Sequence, residues 1–180
     1  MGEYILAQTL QEALDALEKY RGKARVISGG TDLLPLINSR AIKVDFLIDI
    51  TNITELNYIN NNSGLIRIGA LATHSEAAGS SIINEQAVLL AEASRAVGSL
   101  QIRNKGTVVG NVVNASPAAD TSVALIALNA EAEVVSKNGQ RIKKVEDLFV
   151  GPGQTNLSSQ ELVAGFHFQG LVPGQGGGIY

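Results

Sequence analysis

The sequence predicts an α+β fold, with a small β/α N-terminal lobe over residues 1–55 and a larger mixed sheet with helices over residues 56–180. Three observations predict it. Short apolar runs alternate with two helical patterns in the first fifty residues. Hairpin signals take over beyond residue 55. The 180 residues are 45% hydrophobic and 17% charged, with no long charge block, a balance that suits a buried core and not a disordered chain.

Thr9-Leu10-Gln11-Glu12 has the spacing of a capping box, and Leu10, Ala13, Leu14 and Leu17 share one helical face until Gly22 ends the run. Residues 24–28 (ARVIS) read as a short buried strand. Gly29-Gly30-Thr31-Asp32 breaks it and opens a second helix, LLPLINSR, with Pro35 in the first turn, where a missing N–H costs little. Residues 45–50 (DFLIDI) form the next strand. Residues 56–59 and 65–68 then flank Asn60-Asn61-Asn62-Ser63-Gly64, a hairpin connection rich in residues that tolerate positive φ. Thr73-His74-Ser75-Glu76 is a second capping box and starts a short helix. Apolar positions 82, 83, 87, 89, 90, 93 and 97 predict one long helix over 82–97. Residues 107–113, rich in Val and interrupted by Gly110, read as extended. Residues 120–128 read as a helix, 131–136 and 140–145 as a hairpin through Lys137-Asn138-Gly139, and 161–168 as the last strand. The tail from Leu171 to Tyr180 is Gly-rich and reads as a loop or a flexible terminus.

The composition excludes several chemistries. There is no cysteine, which removes thiolate catalysis, disulfides and Fe–S ligation by this chain. With two histidines far apart in sequence, no metal site is expected, and any redox chemistry must come from a bound organic cofactor. Seventeen acidic against fourteen basic residues argue against a nucleic-acid binder. No apolar run is long enough for a membrane span, and no secretory signal is visible, so a cytoplasmic location is expected. Neither a Walker A sequence nor a Rossmann fingerprint occurs; Gly174-Gln175-Gly176 opens no helix.

Two segments carry candidate binding chemistry. In Val26-Ile27-Ser28-Gly29-Gly30-Thr31-Asp32-Leu33, paired glycines let the backbone approach a diphosphate closely, and the following helix offers unpaired N–H groups. Thr31 adds a hydroxyl donor, and Asp32 reads as a helix cap or a partner for ribose or N–H groups. A βα turn without ligand is the alternative on this segment alone. The second runs from Thr107 to Asp120 (TVVGNVVNASPAAD). Small residues there allow a flat ring or polyol chain to lie on the backbone, and Asn111, Ser116 and Asp120 offer polar partners. In isolation, turn formation and helix capping are the preferred explanation of the same residues.

Taken together, GGTDLLP and TVVGNVVNASPAAD resemble the flavin domain of the molybdenum hydroxylases, the family of xanthine dehydrogenase, carbon monoxide dehydrogenase and hydroxybenzoyl-CoA reductase. LIDITNITEL at 47–56, RIGALATHSE at 67–76 and QIRNKGTVVGN at 101–111 extend the resemblance over essentially the whole chain. It implies a PCMH/VAO-type FAD-binding fold. The site residues it implies are Val26, Ile27, Ser28, Gly29, Gly30, Thr31, Asp32 and Leu33 in a pyrophosphate loop. In a second FAD segment they are Thr107, Val108, Val109, Gly110 and Asn111, with Asp120 ending that motif. Val97 is implied beside the isoalloxazine, and Val163 as an apolar contact on a later strand. One departure is Val109-Gly110 where relatives have Gly-Gly. Another is that the chain stops at Tyr180, where the family continues into a C-terminal domain of ordinary size.

The resemblance further implies an oxidoreductase subunit without a catalytic side chain of its own. Its FAD would take electrons from the [2Fe–2S] clusters of a small iron–sulfur subunit, beside a molybdopterin-binding large subunit, and pass them to NAD⁺ or another acceptor. The lack of cysteine agrees with clusters carried by a different chain. The alternatives are a shortened nucleotide- or partner-binding module that has lost FAD, and a stand-alone flavin oxidoreductase. Among other residues, His74 reads as a first-turn helix residue and His167 as an edge or surface position. Arg103 and Lys105 read either as counter-charges to a diphosphate or as a solvated turn, and Lys137, Arg141, Lys143 and Lys144 as an exposed face.

Overall fold

The chain begins with a strand that sequence pattern does not signal, β1 (Glu3–Leu6), four residues with no clear alternation. The computed structural model describes residues 3–172 and residue 175. Helix α1 (Leu10–Lys19) follows, with the Thr9 hydroxyl accepting from Glu12 N. The Glu12 carboxylate reaches back to Gln8 N at 2.8 Å, one residue beyond the position a capping box requires. Ala13, Leu14, Ala16 and Leu17 form its buried face. Strand β2 (Ala24–Ile27), helix α2 (Leu33–Asn38) and strand β3 (Phe46–Asp49) complete the first unit. Its three strands lie parallel in the order β1-β3-β2, with Leu6 and Ile27 both opposite Asp49.

A 3₁₀ turn at Thr54–Leu56 takes the place of the strand expected at 56–59. Strand β4 (Ile59–Asn62) starts later, and β5 (Leu65–Gly69) follows after a two-residue turn. Ser63 and Gly64 sit at φ 54° and 92°, so the hairpin closes through those two residues and the three asparagines lengthen the strand. Helix α3 (His74–Gly79) has both reciprocal bonds of its capping box, Glu76 N to Thr73 Oγ1 and Thr73 N to Glu76 Oε2.

The predicted long helix over 82–97 is two helices, α4 (Ser81–Gln86) and α5 (Val88–Ala96). Ala87, at φ −150° and ψ 47°, leaves the helical region between them, and apolar periodicity is blind to such a break because both halves pack on one core. A short helix α6 (Leu100–Arg103), capped by Ser99, went without a sequence signal.

The segment expected to be extended at 107–113 is helix α7 (Val108–Val113). Thr107 alone keeps strand geometry, pairing with Thr73 as an isolated antiparallel bridge, and its hydroxyl caps the helix by accepting from Gly110 N. Val108, Val109 and Val112 fall on one buried face, so packing overrides the strand propensity of valine. Helix α8 (Asp120–Ala127), strands β6 (Glu131–Ser136) and β7 (Gly139–Lys144), the two-stranded ribbon β8 (Phe149–Gly151) and β9 (Gln154–Thr155), and strand β10 (Leu162–Gln169) end the described fold.

The larger sheet is antiparallel in the order β4-β5-β10-β6-β7. Its last strand in sequence is therefore its middle strand, which buries Leu162 to Phe166 and Phe168. His167 accordingly lies on a central strand, not at an edge, and bonds Glu131 at 3.1 Å. The expected basic face is partly paired: Lys137 with Asp15, Arg141 with Glu161 and Lys144 with Glu146. Buried side chains of both sheets join one apolar cluster, from Leu17 and Ile48 to Ile66, Leu90 and Phe166. Among the described residues no helix is long and apolar enough to cross a membrane. The Gly174-Gln175-Gly176 reading rests on positions that lie largely outside the described residues.

Candidate functional site

Strand β2 is one of the two edge strands of the three-stranded sheet, and the loop at its C-terminal end, residues 28–32, meets the segment 105–111. These two segments interlock. Ser28 Oγ lies 3.1 Å from Thr107 Oγ1. A methyl group on Gly29 would stand 1.9 Å from the Lys105 carbonyl oxygen, closer than any contact allows. Gly30 has φ +69°, a conformation glycine adopts at little cost. The partner segment is itself anchored, since His74 N donates to Gly106 O and Val108 N to Ala72 O, each at 3.0 Å.

Between the segments lies a cleft of about 740 Å³, within the size range of small-molecule sites. All eight residues from Val26 to Leu33 line it, as do Thr107, Val109, Gly110, Asn111, Val97 and Val163. Val108 does not reach it and lies fully buried beneath. Asp120 is exposed in the first turn of α8 and makes no cap hydrogen bond. Asp32, expected as a cap, likewise makes no side-chain bond at the start of α2.

Four backbone N–H groups in the first loop, those of Gly29, Gly30, Thr31 and Asp32, find no acceptor among the described residues. Such groups are costly to leave unpaired away from water and suit an anionic or oxygen-rich ligand. Helix α2 has only six residues, so the loop amides, more than a long helix dipole, supply the donor capacity. Across the cleft, Thr121 donates to Asn111 Oδ1 at 2.5 Å, which leaves the Asn111 amide NH₂ group turned elsewhere. Val97, Val109, Val163 and Ile102 contribute apolar wall.

Arg103 is not merely part of a solvated turn. Its guanidinium donates to Val97 O at 3.0 Å and Gly98 O at 2.9 Å and so fixes the segment that carries Val97. Among the described residues no cluster of His, Asp or Glu is arranged to hold a metal ion.

Sequence reasoning missed two parts of this site. One is the rim built by the β8–β9 ribbon and residues 157–162, where Arg141 grips Glu161 through two bonds of 2.8 and 3.0 Å and holds its carboxyl below the usual range. Only the Gly-Pro-Gly run at 151–153 hinted at a turn there. The other is His74, read as a helix residue, which is buried and also lines the cleft.

The sequence profile described as "FAD binding domain in molybdopterin dehydrogenase" matches residues 1–168. The chain is 38% identical over 160 residues to the glyceraldehyde dehydrogenase medium chain of Sulfolobus acidocaldarius, covering 89% of this chain and 57% of that protein. It is 39% identical over 152 residues to the nicotinate dehydrogenase FAD-subunit of Eubacterium barkeri, covering 84% and 51%. Among solved structures, carbon monoxide dehydrogenase from Hydrogenophaga pseudoflava superposes with a TM-score of 0.93 at 29% identity, over 96% of this chain and 60% of that one. The chain thus spans somewhat more than half the length of the relatives it matches.

Proposed function

The chain belongs to the family of FAD-binding domains of molybdopterin dehydrogenases, and on that premise we propose that it holds FAD as the electron-transfer part of a molybdenum hydroxylase-type complex. The observation that carries this reading is the pairing of two interlocked loops, one of which lines a cleft walled by Val97, Val109 and Val163 and carries four amide N–H groups without an acceptor among the described residues. A dinucleotide with a charged diphosphate and a flat apolar ring needs that combination. Residues 1–55 and 56–180 act as two lobes of this one domain.

The residues present fit the cofactor. The amides of residues 29–32 would hold the diphosphate, and the absence of a Cβ at Gly29 and Gly30 lets the backbone come close. Leu33, Val97 and Val163 would exclude water from the ring, which keeps local electrostatics strong. When bound, FAD supplies both one-electron and two-electron redox chemistry, as a relay between the [2Fe–2S] clusters of a small subunit and NAD⁺ or another acceptor requires. The chain's own side chains then bind and orient, and none need transfer a proton. A molybdopterin-binding large subunit and an iron–sulfur small subunit are the proposed partners, in the cytoplasm.

The test is a visible absorption spectrum of the purified chain with and without added FAD, followed by identification of the flavin released on denaturation. A flavin spectrum with FAD released is the expected result. A chain that stays colourless in excess FAD overturns the assignment.

A further inference from the structure

We propose that His74 is a binding residue for the cofactor's diphosphate, donating its Nε2–H into the cleft as a neutral imidazole. This rests on the FAD reading above. His74 is 1% exposed, yet it lines the cleft. Its Nδ1 is buried without a partner, and the ring makes no side-chain hydrogen bond among the described residues. Nδ1 is the ring nitrogen sealed without a partner, and a buried ring that makes no hydrogen bond among the described residues is uncommon in a folded protein and points to a group that completes it.

The ring's surroundings say which edge does so. His74 N is bonded to Gly106 O, and the ring's Cδ2, next to Nε2, lies 3.4 Å from where a Cβ on Gly106 would sit. Thr31 Oγ1 lies 3.1 Å from the same point. Cδ2 and Thr31 Oγ1 thus approach one point beside Gly106, which sets that side of the ring next to the Gly-Gly-Thr loop, where the unpaired amides are. The tautomer follows from the cost of an orphan donor. A buried N–H without an acceptor is rarer than a lone pair without a donor, so Nδ1 keeps the lone pair and Nε2 carries the hydrogen. Burial, and secondarily the nearby Arg103 charge, hold the ring neutral, so it offers a hydrogen bond without bringing a charge into the cleft.

The chain has two histidines, so a spectrum of [¹⁵N]histidine-labelled protein contains two rings, and His167, bonded to Glu131 on the large sheet, is the internal control. FAD is expected to move the His74 Nε2 resonance and to leave His167 in place, with ADP giving the same shift and riboflavin none. His74→Gln, whose Nε2 matches the imidazole Nε2, should bind FAD within about twofold of the parent. His74→Leu should bind roughly ten- to a hundredfold more weakly, as loss of a hydrogen bond to a charged group predicts. A chain that holds FAD with the His74 ring unmoved overturns this inference alone, as does a shift produced by riboflavin and not by ADP. A chain that takes up no FAD overturns the proposed function and this inference with it.

Discussion

The hydroxyls of Ser28 and Thr107 lie 3.1 Å apart although 79 residues separate them in sequence. That contact joins the end of β2 to the cap of α7, and with the approach of Gly29 to the Lys105 carbonyl it makes two loops into one rigid frame. Preorganisation of this kind lowers the ordering cost of binding a ligand.

Thr107 is the center of that frame, because its hydroxyl also accepts from Gly110 N at 3.0 Å. Thr107→Val keeps the shape and deletes both bonds. The loss of a helix cap and a buried hydrogen bond predicts a destabilisation of about 1–2 kcal/mol. Urea denaturation should show it as a lower midpoint with an unchanged slope, and FAD affinity should fall as well. Thr107→Ser, which restores the hydroxyl, should recover most of both; a Val variant with parental stability would show that the frame does not depend on this group.

Gly29 and Gly22 separate crowding from backbone strain. A Cβ on Gly29 would meet Lys105 O at 1.9 Å and Gly106 Cα at 2.8 Å, both backbone atoms, whereas one on Gly22 meets nothing within 4 Å despite φ +70°. Gly22→Ala should cost about 1–2 kcal/mol from its left-handed conformation alone and leave FAD binding intact. Gly29→Ala must push the loops apart, so it should lose FAD and lower the melting temperature further than Gly22→Ala. Equal melting temperatures for the two variants would contradict the interlock.

The sequence made the first loop legible because its signal is local: an apolar run, two glycines and a helix pattern are physical instructions read within eight residues. Most strands and helices of the larger unit were legible for the same reason. The second segment was found by its motif, but its conformation was misread. Val108, Val109 and Val112 prefer strands in isolation, and only the buried surface they meet, distant in sequence, makes them a helix face. The split at Ala87 and the central place of β10 were hidden likewise, since order within a sheet depends on partners that no local pattern names. His74 was legible as a helix start, and its position on the cleft needed the contact with Gly106 to appear.

Thr121 is fully buried and donates to Asn111 Oδ1, which fixes the amide of a cleft residue from behind. Thr121→Val is nearly isosteric and leaves that oxygen without its donor, at a cost of about 1–3 kcal/mol. The expected outcome is a lower melting temperature together with FAD affinity reduced several-fold, and Thr121→Ser should restore affinity first. Calorimetric titration with FAD checks this; affinity unchanged in the Val variant would mean that Asn111 is held in place by other contacts.

His74 also makes stability depend on pH in a predictable window. Burial, the larger cause, and the Arg103 charge push its pKa down from 6.5 to about 4. The unfolded chain therefore binds a proton near pH 6.5 that the folded chain accepts only near pH 4, so acid favours unfolding across that interval. The stabilisation is complete above pH 6.5, falls as pH drops, and is gone by about pH 4, a change on the order of 3 kcal/mol. His74→Gln has no such group and should give a flatter stability curve between those limits. Urea midpoints of parent and variant at half-unit pH steps measure the difference directly. Parallel curves would mean that His74 titrates alike in both states, and that the imidazole is not sealed against solvent as its 1% exposure indicates.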